Sequence, residues 1–186
     1  MRELVRLFTQ IALLRRGPQD LPASTLLLAL TIVGFLAINL LMHAILPSAG
    51  PAGASGKASE AQIHNNFPAQ LLLDTAFTLA WYVVLLRLAR RSERTLQTST
   101  AVFGFQLVLT PLYFTSGWLL RYAADPAWAL PTVLFEIIVV VWIIAANSFI
   151  VKAALEWSVG ASVALVILQT LAGVLLSRAV FYPLQG

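Results

Sequence analysis

The chain has 186 residues, of which 59% are hydrophobic and only 11% are charged. Because a soluble domain carries about a quarter charged residues, this composition excludes a water-soluble globular fold and makes lipid the solvent of the apolar surface. The formal net charge of +4 resides mostly in short segments beside apolar runs, and there is no cysteine, so nucleic-acid binding, disulfides and thiol chemistry are not expected.

The chain opens with a segment that has the periodicity of an amphipathic helix. Between residues 2 and 16, five apolar residues share one helical face, with arginines and other polar residues opposite: Leu4, Leu7, Phe8, Ile11 and Leu14. We predict an interfacial helix here, ended by Gly17-Pro18. Pro22 followed by Ser24 offers the start of a new helix.

Five apolar runs follow, each long enough to cross the roughly 30 Å hydrocarbon core of a bilayer as a helix. They cover about residues 24–46, 70–88, 99–120, 127–151 and 159–181. The segment Pro47–Pro68 is rich in Pro, Gly, Ala and Ser and is predicted to be a flexible loop. The fold class is therefore all-α, a single transmembrane domain built as a five-helix bundle.

Basic residues favour one side of this arrangement. Nine lie in the N-terminal segment and the second and fourth connectors: Arg2, Arg6, Arg15, Arg16, Arg87, Arg90, Arg91, Arg94 and Lys152. Three lie on the other side: Lys57, Arg121 and Arg178. The positive-inside rule then predicts a cytoplasmic N-terminus and an external C-terminus, in what we expect to be a bacterial cytoplasmic membrane.

Seven of these arginines form a candidate cytoplasmic basic face that would meet anionic lipid or an acidic protein: Arg2, Arg6, Arg15, Arg16, Arg90, Arg91 and Arg94. Each basic residue near an anionic surface contributes roughly 1 kcal/mol of attraction. The alternative is that these arginines only set the orientation of the chain in the membrane.

Polar side chains within the spans are the other candidate site. Glu136 lies well inside the fourth span, and Asp74 lies about one turn into the second. Because an ionised group near mid-membrane costs roughly 2.5–3.5 kcal/mol on insertion scales, Glu136 should face the bundle or a wet cavity. Asn147 falls near the same helical face as Glu136, and Gln106 begins a polar stripe on the third span.

Two interpretations of these polar residues stay open. Glu136 is either a clasp that hydrogen-bonds to Gln106, Tyr113 or Gln169, or a proton or cation site. His43, Asp74, Arg121 and Arg178 fall at similar depth near the outer surface, where they form either a charged cluster with Asp74 paired to His43 or Arg178, or separate groups that reach the headgroups.

Signatures of catalysis and metal binding are missing from the sequence. His43 and His64 are too far apart to form an H-x-x-x-H ligand pair, and no G-x-S-x-G, Walker or dinucleotide-binding motif occurs. We therefore expect neither an enzyme nor a cofactor.

Several segments resemble the Yip family of five-span membrane proteins in its bacterial form. The resemblance rests on the Gly17-Pro18 element before the first span, the loop from Arg91 to Gln97, Thr110-Pro111-Leu112, and the run Val141–Ala146 that leads to Ala153-Ala154-Leu155. The family has a cytoplasmic N-terminus and short loops, and its eukaryotic members are associated with small-GTPase binding and vesicle traffic. Where the family has an acidic-Leu-Tyr-Gly-Pro order, this chain has Gly17-Pro18-Gln19-Asp20-Leu21-Pro22.

The functional expectation from the sequence is a non-enzymatic membrane scaffold or accessory subunit that contacts membrane lipids and either a membrane-protein partner or further copies of itself. The alternative is a small transporter or channel component with a proton or cation site at Glu136 and Asp74. A wet cavity that reaches the intramembrane carboxylates would favour transport, whereas a dry core with a lipid-facing groove would favour the scaffold.

Overall fold

The computed structural model describes residues 2–45, 57–122 and 125–181, with side chains from residue 6 onward except 57–65 and 121. Six α-helices run along this part of the chain: α1 Arg2–Ala12, α2 Thr25–Ile45, α3 Lys57–Leu88, α4 Thr95–Leu119, α5 Pro126–Leu155 and α6 Val159–Phe181. Short 3-10 turns lie at Pro18–Asp20, Ser92–Arg94 and Leu120–Tyr122. Five helices, α2 to α6, are long and apolar enough to cross a membrane, which confirms the predicted helical membrane fold.

Side-chain caps explain where three of the spans begin. Ser24 Oγ accepts a hydrogen bond from the Leu27 amide at 3.3 Å, and Ser158 Oγ accepts one from the Ala161 amide at 3.3 Å. Asp125 Oδ1 accepts from the Ala127 amide at 2.9 Å, with Pro126 next to it at the first helical position. Each cap satisfies an amide that has no partner inside its own helix, so these residues set the starts of α2, α6 and α5.

Three helices end at a left-handed residue that is not glycine. Leu14, Arg90 and Glu156 have φ angles of 59°, 57° and 60°. After α1 the Arg15 amide bonds back to the Gln10 carbonyl at 2.8 Å, and after α3 the Arg91 amide bonds to the Leu86 carbonyl at 2.7 Å. These bonds satisfy the last carbonyls of the helices and reverse the chain direction.

Two predicted boundaries are wrong. The first helix ends at Ala12 rather than near Arg16, because the left-handed turn at Leu14 stops it before Gly17 is reached. The helix of the second span begins at Lys57, so residues 57–68 of the predicted loop are helical, with Pro68 inside the helix. The first turns of this helix, residues 57–62, are made mostly of alanines and long polar residues that favour helix, and residues 47–56 lie outside the described part.

α4 is the central helix of the bundle and packs against α1, α2, α3 and α5. Its buried residues include a continuous stretch from Thr98 to Phe105, and α5 and α6 pack against each other beside it. Phe35 of α2 contacts Phe103 of α4 with ring centroids 5.7 Å apart. Large apolar side chains that are exposed lie mostly on α2, α5 and α6, where lipid would cover them.

The amphipathic helix α1 packs on the bundle with its apolar face. Ile11 is fully buried, Phe8 lies over Gly104 of α4, and the Trp142 indole of α5 donates to the Ala12 carbonyl at 3.1 Å. The hydrogen bond from Trp142 satisfies one of the orphan carbonyls at the end of α1. The part of the apolar face formed by Phe8 and Ile11 therefore contacts protein, between α4 and α5.

Candidate functional site

A polar cavity of about 670 Å³ lies among α3, α4, α5 and α6. Polar side chains from all four helices line it: Gln70, Asp74, Thr78, Gln106, Asn147, Gln169, Thr170, Ser177 and Arg178. Its volume falls in the range of about 300–1,000 Å³ that small-molecule sites occupy. We call this space the polar cavity.

Two facing helices supply most of its lining with the same spacing. On α3, Gln70 and Asp74 are four residues apart, and on α6, Gly173 and Ser177 are four residues apart, so each pair shares one helical face. A Cβ atom on Gly173 would lie 3.4 Å from the Phe77 ring, which indicates close contact between the helices. The Gln70 amide donates to Ser177 Oγ at 2.9 Å and ties α3 to α6 at this end of the cavity.

Among the described residues that line the cavity, Asp74 supplies a carboxylate and Arg178 a guanidinium. The described residues include no ion pair or side-chain hydrogen bond of either group, so the predicted pairing of Asp74 with Arg178 or His43 is not formed. Asp74 lies eight residues after Asn66, where the membrane-spanning part of α3 begins, which places it roughly 12 Å along the helix from that end. It is an exposed carboxylate within the span, and it lines a polar space.

Gln106 of α4 connects the polar cavity to a second one. A cavity of about 480 Å³ on the α2 side of α3 shares four of its lining residues with the first: Gln70, Asp74, Thr78 and Gln106. Gln106 Oε1 is buried and accepts no hydrogen bond from any described residue. Asp74 and Gln106 therefore offer acceptor oxygens toward the boundary of two adjoining spaces.

Glu136 is placed elsewhere. It does not line the polar cavity, and its Oε1 accepts a short hydrogen bond from the Ser116 hydroxyl of α4. A carboxylate thus joins α5 to α4, but with Ser116 as the partner instead of Gln106, Tyr113 or Gln169. The geometry separates Glu136 from Asp74, although the sequence analysis grouped them as one candidate transport site.

The remaining intramembrane candidates are only partly brought together. Asn147 and Gln106 line the polar cavity with Asp74 and Arg178. His43 instead stacks on Phe67 with ring centroids 4.0 Å apart, and Phe67 lines the second cavity. The side chain of Arg121 lies outside those described.

Two arginines of the predicted basic face are engaged within the protein. Arg91 binds both carboxylate oxygens of Glu156, at 3.2 and 2.6 Å, and Arg94 binds one of them at 2.7 Å. Arg94 also donates to the Ala153 and Ala154 carbonyls at 3.1 and 3.2 Å, where α5 ends. We call Arg91, Arg94 and Glu156 the Glu156 ion cluster, and it fixes the connector between α3 and α4 to the end of α5.

The charge environment of Glu156 follows from these contacts. Hydrogen bonds from Arg94 and Arg91, together with their positive charges, hold the pKa of the Glu156 carboxyl below its usual value. Within the predicted basic face, the four other arginines whose side chains are described are exposed: Arg6, Arg15, Arg16 and Arg90. Arg2 belongs to the residues whose side chains are not described.

Three residues of the site were not predicted from the sequence: Gln70, Thr78 and Thr170. Glutamine and threonine are common near span ends and within apolar helices, so none of them is conspicuous alone. The available signal was the matching four-residue spacing of polar or small residues on the second and fifth spans. Which helices are neighbours could not be read from that spacing.

No family model, curated protein or solved structure matches this chain. The resemblance to the Yip family therefore stays a prediction, and the functional argument rests on the geometry of the chain itself.

Proposed function

We propose that the protein is a small membrane transporter or channel component that binds a polar solute in the polar cavity. The observation that supports this most is the convergence of polar side chains from four helices on one cavity, including an exposed carboxylate within a span that has no ion pair among the described residues. The site is centred on Asp74 and Gln106 and leaves Glu136 in a structural role.

Charged side chains inside a membrane span are costly unless water, an ion or another polar group meets them. Helices that pack only against one another place polar side chains where they can hydrogen-bond across the interface, as Gln70 does with Ser177 and Ser116 does with Glu136. Asp74 and Arg178 are instead exposed in the lining of the polar cavity, with no ion pair among the described residues. Two opposite charges that are open to one space within the spans support a site for a ligand, an ion or the water that accompanies it.

Cysteine accessibility tests whether the cavity is wet. The chain has no cysteine, so single substitutions can be made in the otherwise natural sequence. In nanodiscs, Thr170→Cys should react with a charged methanethiosulfonate reagent because Thr170 lines the cavity. Leu171→Cys is the matched control, one residue further on α6 and exposed on the surface outside the cavity lining. Equal protection of both cysteines would contradict the proposal.

A stability comparison tests whether Asp74 serves binding or packing. Asp74→Asn should raise the Tm in nanodiscs, because it removes an unpaired charge from a position that no hydrogen bond stabilises. Glu136→Gln is the control, since its acceptor oxygen still receives the Ser116 hydrogen bond and the Tm should change little. A marked loss of stability in Asp74→Asn would assign that carboxylate to packing.

The accessory-subunit reading is a second candidate, and four exposed arginines favour it: Arg6, Arg15, Arg16 and Arg90. On this reading they would face the cytoplasm of a bacterium and meet an acidic protein or anionic lipid. Mass spectrometry of the nanodisc-purified protein would detect a stoichiometric partner. Loss of that partner on neutralising Arg15 and Arg16 would support this candidate, whereas purification without a partner would count against it.

A further inference from the structure

We propose that the polar cavity recognises a small zwitterion that carries an ammonium group and a carboxylate. This inference rests on the proposed solute-binding function and adds the class of solute. The observation that carries it is the presence of both Asp74 and Arg178 in the lining of one cavity without an ion pair between them.

The helices place these opposite charges in the lining of one cavity without an ion pair between them. Gln70 is one turn before Asp74 on α3, Ser177 is next to Arg178 on α6, and the 2.9 Å hydrogen bond between Gln70 and Ser177 fixes the two helices at that level. Packing therefore brings the carboxylate and the guanidinium to the same space and leaves both available. A ligand with complementary ends can bridge them.

Charge balance selects the class of ligand. The described lining carries one negative and one positive side chain, so a ligand with a single charge would pair with one of them and leave the other without a partner inside the membrane spans. A zwitterion pairs with both and keeps the complex neutral. The guanidinium suits a carboxylate because it donates two parallel hydrogen bonds, and Asp74 suits an ammonium group.

The neutral lining fits the same class. Gln106 presents a buried acceptor oxygen beside Asp74, where an ammonium group needs more than one acceptor. Asn147 and Gln169 add amides that both donate and accept. The apolar remainder, including Val102 and Ile143, limits the number of polar groups that a ligand can satisfy, which favours a small solute.

Binding of defined probes to the nanodisc-embedded protein tests the inference. Equilibrium dialysis with glycine, β-alanine, γ-aminobutyrate and ε-aminocaproate samples increasing separations between the two charges. Ethylamine, propionate and propionamide supply the cationic, anionic and neutral controls. We expect at least one zwitterion to bind about tenfold or more tightly than every control, because each bond to a charged group contributes roughly a factor of ten.

Two variants assign the ends of the ligand. Asp74→Asn and Arg178→Gln should each weaken zwitterion binding about tenfold or more, with ethylamine binding lost only in the first and propionate binding lost only in the second. Exchanging the charges, Asp74→Arg with Arg178→Asp, should restore much of the zwitterion affinity in the reverse orientation. If the protein with exchanged charges does not fold, the single variants Asp74→Asn and Arg178→Gln still decide the test.

Each outcome has one meaning. Tighter binding of a zwitterion that depends on both charges supports the inference. The inference is overturned if a control compound binds as tightly as the tightest-binding zwitterion, or if no zwitterion binds. The proposed function fails on separate grounds, namely protection of Thr170→Cys from a charged reagent, so a wet cavity without zwitterion binding would refute only the solute class.

Discussion

The contact between Phe8 and Gly104 should control whether α1 stays docked. A Cβ atom on Gly104 would lie 2.1 Å from Cε1 and 2.3 Å from Cδ1 of Phe8, far inside van der Waals contact. The ring cannot accept this atom without moving, and α1 is also held by the buried Ile11 and by the Trp142 bond to Ala12. Gly104→Ala should therefore push α1 away from α4.

The size of the effect follows from overpacking at this contact. Overpacking a well-packed site costs about 1–3 kcal/mol. Because α4 is helical in both the docked and the undocked state, the higher helix propensity of alanine does not offset this cost. We take about 1–2 kcal/mol as the expected weakening, since the Phe8 ring can shift by part of the overlap. A loss of about 1–2 kcal/mol raises the undocked fraction about 5- to 30-fold.

Labelling of Ala12→Cys measures this fraction directly. Ala12 is 5% exposed, and a cysteine there should react with a maleimide only when α1 leaves the bundle. Gly104→Ala should raise the labelling rate about 5- to 30-fold. Gly34→Ala is the matched control, because its Cβ would make ordinary contact with Leu107 at 3.4 Å.

A double-mutant cycle identifies the contact as the cause. In a Phe8→Ala background the ring is absent, so Gly104→Ala should no longer accelerate labelling. The reasoning is refuted if Gly104→Ala leaves the rate unchanged, or if it raises the rate equally with and without the Phe8 ring.

Three further predictions concern other parts of the bundle. Because the pKa of Glu156 is lowered, the Glu156 ion cluster stabilises the protein at pH values above 4.5, the usual pKa of glutamate, and this stabilisation is lost as the pH falls through the pKa in the folded state. Acid should therefore lower the Tm of the natural protein more than the Tm of Glu156→Gln. Arg90→Gly should raise stability by about 0.5–1 kcal/mol in chemical denaturation, because glycine adopts φ 57° without strain; no gain over Arg90→Ala would contradict this. Ser116→Ala should lower the free energy of unfolding by about 0.6–2 kcal/mol, and Glu136→Gln should lower it clearly less. If Glu136→Gln lowered the Tm more than Ser116→Ala, the hydrogen bond between Ser116 and Glu136 would not be what joins α4 to α5.

The sequence was sufficient for the number and approximate position of the spans. Continuous apolar runs and their caps are local properties, and Ser24, Asp125 and Ser158 act where the pattern predicts a helix start. The amphipathic period of α1 was equally readable. The predicted end of α1 was wrong because a left-handed residue other than glycine, Leu14, stops the helix. The left-handed conformation of a non-glycine residue has no reliable signal in the sequence.

The site was only partly readable for a different reason. Charged and amide side chains are costly inside a membrane span, so four of them could be singled out from the sequence. All four line the polar cavity: Asp74, Gln106, Asn147 and Arg178. Depth along the chain also suggested Glu136, which the fold assigns to a hydrogen bond with Ser116. Hydropathy reports how deep a residue lies, but it does not report which helix face meets which neighbour.

The same distinction holds for the charged loops. The sequence by itself determined that arginines gather at one end of the bundle, since their positions relative to the spans are fixed by the chain. Only the tertiary structure decided that Arg91 and Arg94 bind Glu156 while Arg15 and Arg16 stay exposed. The location of a span depends on the free energy of transferring its residues from water to lipid, which adds up along the chain. The pairing of Arg91 and Arg94 with Glu156 depends instead on packing between segments that are more than sixty residues apart.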